Sequence, residues 1–190
     1  MKTTIIKTKH LFILAFAILV LIIQIQGCGS KDKAKGDGRY YDKEKVFSIS
    51  FPDAWIKIKS TNSVLAQRTS ETGDKTHSLK ENVSVSFKKI DPAIGLEGYY
   101  QKDISGLNVL TDLKIFETGQ SVIDNTDAKY IIYSSRMGKY DFTHLSYFLV
   151  KNNMGFMIVC TAASDNFASS RSEFEKIASS FKFESGANVN

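Results

Sequence analysis

The chain has 190 residues, 43% of them hydrophobic and 12% aromatic, enough for one domain with a sizeable core plus an appendage. Its formal net charge of +5 is partly local: residues 1–27 carry three lysines and no acid, and the remainder holds 22 basic against 20 acidic residues. Later lysines such as Lys57, Lys88, Lys102 and Lys129 are interspersed with acids, so no basic stripe marks a nucleic-acid partner.

Lys2, Lys7 and Lys9 precede Leu11 to Ile23, thirteen apolar residues without a break. As a helix that run spans roughly 20 Å, short of the about 30 Å of a hydrocarbon core. A basic start, a short apolar stretch and a small closing residue predict a secretory signal peptide over residues 1–27, so the rest is expected to be exported. No later stretch of the sequence is long and apolar enough to cross a bilayer.

The signal ends in Ile25-Gln26-Gly27-Cys28, which resembles a bacterial lipobox, the site that signal peptidase II recognises. Ile25 is the branched aliphatic residue three places before the cysteine, and Gly27 is the small residue beside it. Gln26 departs from the small or hydroxylated residue usual between them. The resemblance implies that the Cys28 thiol takes a diacylglyceryl group and becomes the mature N-terminus, palmitate-type acyl chains tying the protein to the cell membrane or outer membrane. Two acyl chains anchor stably where one is marginal. Gly29 follows, so the aspartate that favours inner-membrane retention is absent. Residues 28–45 mix Gly, Ser and alternating charge, which predicts a flexible tether with a reach of roughly 20–25 Å.

A single domain is expected over residues 46–183, with a disordered tail at 184–190. "VFSISF" alternates, placing Phe47, Ile49 and Phe51 on one face. After Pro52-Asp53, "AWIKIK" puts Ile56 and Ile58 inward and Lys57 and Lys59 outward. A polar loop turns at Gly73-Asp74, and "NVSVSFKK" aligns Val83, Val85 and Phe87. The period then lengthens: Leu96, Tyr100, Ile104, Leu107 and Leu110 recur at helical steps. "LKIFETG" and "QSVIDN" read as two short strands around Gly119-Gln120.

"DAKYIIYSSR", "YDFTHLSYFLV" and "MGFMIVCTA" are three longer strands whose short connections require antiparallel neighbours. Both faces are apolar, Tyr130 and Ile132 against Ile131 and Tyr133, which places them centrally between two layers. A final helix, capped by Asp165 or Asn166, carries Phe167, Phe174, Ile177, Ala178 and Phe181. The class is α+β, an antiparallel β-sheet with helices packed on it, and the N-terminal strands are free to cover part of its second face.

The opening "FSISFPDAWIKI" with Trp55, the strand "NVSVSF", a helix, the strands around "DAKYIIY" and the closing "FEKIASSFKF" resemble the PsbP-like family over roughly residues 40–183. That family includes the extrinsic luminal subunit of photosystem II and bacterial lipoproteins, among them DcrB-like ones. The resemblance implies an α-β-α sandwich and a binding or assembly role without a reaction. Some photosynthetic members are linked to calcium or manganese retention, but no residue motif here carries a metal role across.

No phosphate loop, nucleophile elbow, metalloprotease helix or paired C-x-x-C is present. His77 lies in the polar loop and His144 within a strand. Cys160, in an apolar run, is expected to be a buried core thiol and not a disulfide partner for Cys28. Asp124, Asn125 and Asp127 offer oxygens in one turn, fewer than calcium's usual six to eight, and a plain turn is expected. Neither catalytic residues, nor a metal, nor a cofactor is therefore expected. The expected partners are the membrane, through the lipid, and a protein or small ligand at the cell envelope. The alternatives are an envelope enzyme, with Cys160 and His144 as its pair, and a photosystem-associated extrinsic factor.

Overall fold

Short turns organise the second half of the chain. Asp124-Asn125 and Asn152-Asn153 take left-handed backbone (φ 49°, 55°, 50° and 59°), as does Gly138 (φ 61°). Asn, Asp and Gly tolerate that conformation, and two-residue turns of this hand match the twist of the strands they join. The computed structural model describes residues 38–42, 46–59, 63–68 and 80–184. Its elements are β1 (Arg39–Tyr41), β2 (Phe47–Ser50), β3 (Trp55–Lys59), β4 (Ser63–Arg68), β5 (Asn82–Lys89), α1 (Gly95–Ser105), β6 (Thr111–Ile123), β7 (Thr126–Met137), β8 (Tyr140–Lys151), β9 (Met154–Ala163), α2 (Ser164–Ser179) and β10 (Lys182–Phe183).

Seven strands form one antiparallel sheet in the order β3-β4-β5-β9-β8-β7-β6, and β1, β2 and β10 form a small second sheet. The central strands are apolar on both faces because both are covered. Ile132, Leu145, Tyr147, Leu149, Phe156, Ile158 and Cys160 point to the face under α2, where Phe167, Phe174, Ile177 and Ala178 meet them. Ile131, Tyr133 and Phe148 point to the opposite face, under Tyr99 and Tyr100 of α1. The result is the α+β sandwich that the periodicity and the family resemblance both imply.

Several local expectations change. The segment 111–123 is one strand, not two. Gly119 is no turn: a Cβ there would sit 2.6 Å from the ring of Tyr130, so the glycine makes room for that ring to cross the strand. The alternation in β3 has the opposite phase. Trp55 is 5% exposed and Ile56 38%, because the larger aromatic takes the core position and its indole N–H donates to Glu173 Oε1 at 2.7 Å. On that same face Lys57 extends its ammonium to the Gly38 carbonyl at 3.4 Å. The helix α2 follows β9 directly, with Ala163 at its N-cap and no capping side chain. Asp165 lies in its first turn instead, where a carboxylate favours the helix dipole.

The small sheet lies on the α2 face, not the second one. Phe47 stacks on Phe181 (centroids 5.5 Å, 15°) and meets Phe87 and Phe156 edge-on. Its strand β1 falls within the stretch read as tether, so the folded unit includes residues 39–41. Arg39 donates to Ser48 Oγ at 2.7 Å and to the Ser180 carbonyl at 3.0 Å, and Ser48 donates to Glu184 Oε1 at 2.6 Å. The signal, the lipobox residues Ile25, Gly27 and Cys28, the loop holding His77, and residues 185–190 lie outside the described residues. Among the described residues no helix is long and apolar enough to cross a membrane.

Candidate functional site

The outer strand β6 does not run smoothly beside β7. Register shifts between Thr111 and Lys114 and between Ile115 and Glu117 mark β-bulges. A bulge kinks a strand and re-aims the side chain it carries. Here it leaves two successive large apolar residues in the open, Ile115 at 55% and Phe116 at 61% exposure. Phe116 stands at an open groove of about 760 Å³ between this part of β6, the facing ends of β7 and β8, and the start of α2. Ile132, Phe167 and Ala168 give it an apolar floor, and Ser134, Thr143 and Ser164 add hydroxyls.

Fixed charges wall the groove. Arg136 forks onto Asp141 with two bonds, 2.7 and 3.1 Å, across the Gly138 turn, and reaches Asp112 at 3.0 Å. Arg171, on α2, holds Glu117 at 3.0 and 3.2 Å and Glu175 at 2.8 Å. Tyr130 donates to Glu117 at 2.7 Å. The Arg171 hydrogen bond, with help from Tyr130, keeps the Glu117 carboxyl below its ordinary range, and the Arg136 hydrogen bond does the same for Asp141. These carboxylates stay ionised and paired near neutral pH.

The sequence-level site residues fall elsewhere. His144 pairs with Thr161 across β8 and β9, and Cys160 pairs with Leu145. The two therefore sit on neighbouring strands but leave the sheet by opposite faces, and no nucleophile–base pair forms. Burial pushes the Cys160 thiol up, and its Sγ lies 4.0 Å from the Phe174 carbonyl. His144 is hydrogen-bonded within the sheet, Nδ1 to Thr161 Oγ1 at 2.9 Å and Nε2 to Ser135 Oγ at 3.2 Å, and stacked on Tyr133. Burial lowers its pKa to about 4, so it is neutral near pH 7. Asp124 ties its turn to β10: one carboxylate oxygen accepts the Phe183 N–H at 3.0 Å. Among the described residues no cluster of three His, Cys, Asp or Glu side chains could hold a metal ion.

Phe116, Glu117, Arg136, Asp141 and Arg171 escaped the sequence reading. A signal was present, since Ile115-Phe116 breaks the alternation of its strand, as a bulge does.

The family model for PsbP matches residues 35–183, most of the chain. The chain belongs to the PsbP family. No curated protein sequence matches it significantly. Among solved structures it is similar to the cyanobacterial PsbP (CyanoP) of Synechocystis, 17% identical with a TM-score of 0.58 over 84% of this chain and 99% of that one. It is also similar to LpqN of Mycobacterium tuberculosis, 13% identical, TM-score 0.58, covering 73% and 83%. The yeast protein Mog1p of Saccharomyces cerevisiae is 9% identical, with a TM-score of 0.54 over 79% of this chain and 96% of that one. At such identities these likenesses concern the fold. Trp55, which the opening motif supplies, packs between the sheet and α2 in this sandwich.

Proposed function

We propose that this PsbP-family protein is an exported lipoprotein, anchored through Cys28, whose domain binds a protein or small ligand at the cell envelope without catalysing a reaction. The observation that carries the binding role is the open groove, where exposed Phe116 stands over an apolar floor within a wall of paired charges. An exposed aromatic that a partner can bury, flanked by arginines, supplies residue types that carry binding energy at interfaces. Among the described residues, the two side chains best suited to covalent or acid–base work, Cys160 and His144, are sealed on opposite faces of the sheet. The sequence Ile25-Gln26-Gly27-Cys28 supports the anchor. LpqN is described as involved in cell envelope biogenesis and Mog1p as Ran-binding, which is consistent with the fold serving recognition.

A photo-reactive residue in place of Phe116, in the full chain in its own cells, tests the binding. A discrete adduct that disappears with Arg136→Ala or Arg171→Ala is expected, and equal labelling from Phe116 and from a site outside the groove would refute it. Cys28→Ala, compared with the unaltered chain, should leave an unprocessed precursor that takes up no labelled fatty acid. Normal processing and labelling of that variant would remove the anchor from the proposal.

A further inference from the structure

The two edges of the seven-stranded sheet are treated differently. Strand β3 has five residues, two of them lysine, with Pro52 just ahead. Short length, lysine and a nearby proline are the usual means of keeping an edge from pairing with another chain. Strand β6 has thirteen residues, and its bulges protect only the half before Glu117. From Glu117 to Ile123 it runs in regular register with β7, without lysine, proline or bulge, and no described strand covers its outer side.

The hairpin fixes which backbone groups that outer side offers. Ile123 faces Thr126 across the two-residue turn, so residues 123, 121, 119 and 117 bond to β7. The N–H and C=O groups of Thr118, Gln120 and Val122 then point outward. Their side chains share the α1 face and all three are exposed, Val122 at 65%.

We propose that two copies of this chain pair antiparallel along Glu117–Ile123 about a two-fold axis at Gln120, joining their sheets edge to edge. In that register Gln120 faces its own mate, and Thr118 and Val122 face each other twice, β-branched against β-branched. All three outward-pointing residues of each copy meet outward-pointing residues, giving about six ladder hydrogen bonds. On the α2 face Ser121 comes opposite the mate's Gly119, whose side-chain space the Tyr130 ring fills. Glu117 is the sole charge in the segment, so no like charges are directly apposed. Beyond it the bulged half of β6 leaves this register, so the pairing is confined to Glu117–Ile123. The two-fold keeps both grooves on one side of the joined sheet. This pairing depends neither on the lipid nor on a ligand.

Sedimentation of the full chain in detergent, across a concentration series, tests the pairing. The unaltered chain should sediment as a dimer in exchange with monomer. Gln120→Pro removes an outward N–H without touching the β7 ladder, so it should give monomer with an unchanged circular dichroism spectrum. Because opposed residues on such strands lie about 5.5 Å apart at Cα, within disulfide range, Gln120→Cys should cross-link to its mate under mild oxidation. Ile56→Cys, on the β3 edge, should not. A monomer at every concentration, or cross-linking of Gln120→Cys no faster than Ile56→Cys, would overturn the proposal. Neither result bears on groove labelling at Phe116.

Discussion

His144 and Cys160 stand on paired strands, one residue out of register, and their side chains leave the sheet by opposite faces. Cys160 enters the core beneath α2 and His144 enters the layer beside Tyr133. Adjacency in a sheet is thus compatible with complete chemical separation, since alternation by one residue reverses the direction of a side chain.

The first consequence concerns the thiol. Cys160 is fully buried and its pKa is pushed up by that burial. A buried thiol that stays protonated reacts slowly. Treatment of the native protein with iodoacetamide near pH 8 should leave Cys160 unmodified, with alkylation appearing on denaturation. Rapid modification in the native state, read by peptide mass, would contradict the sealed position.

The second concerns acid stability. The folded protein holds His144 neutral down to about pH 4, whereas an unfolded chain takes up that proton near pH 6.5. Stability from this residue is complete above pH 6.5 and falls as the pH drops from there to about 4, by about 1.4 kcal/mol per pH unit at most. His144→Gln cannot charge. Its melting temperature should therefore fall less than that of the unaltered chain between pH 7 and 4.5. Parallel decline in both would show that other groups dominate.

The third concerns Gly119. Any Cβ there meets the Tyr130 ring at 2.6 Å, and moving the ring disturbs the 2.7 Å bond from Tyr130 to Glu117. Gly119→Ala should cost about 1–3 kcal/mol in denaturant unfolding, the range for overpacking. The same change in a Tyr130→Leu background should cost much less, and an equal cost in both would separate the glycine from the ring.

The sequence made much of this fold legible, and for identifiable reasons. Long strands apolar on both faces, such as Thr126–Met137, require two covering layers, and the turns between them leave only antiparallel pairing. Trp55 misled, because Ile56 and Ile58 suggest one inward face while the bulkier indole competes for the other. Gly119 misled because local sequence does not show that a tyrosine ring from the next strand fills its space. The groove was least legible. Arg136 and Asp141 are close in sequence, but Glu117 meets Arg171 only once α2 has folded back over β6. His144, by contrast, sits where its strand context places it, hydrogen-bonded inside the sheet.

The fork of Arg39 has a mechanical consequence. It grips Ser48 and the carbonyl of Ser180, while Ser48 holds Glu184. The chain's entry into the domain is thereby clamped to its exit. Tension arriving ahead of Gly38 would not peel β1 away alone but would load β2 and the segment after α2 together. Rupture would then load the Phe47–Phe181 stack as well, so the first strand of the domain is braced by its last turn of chain.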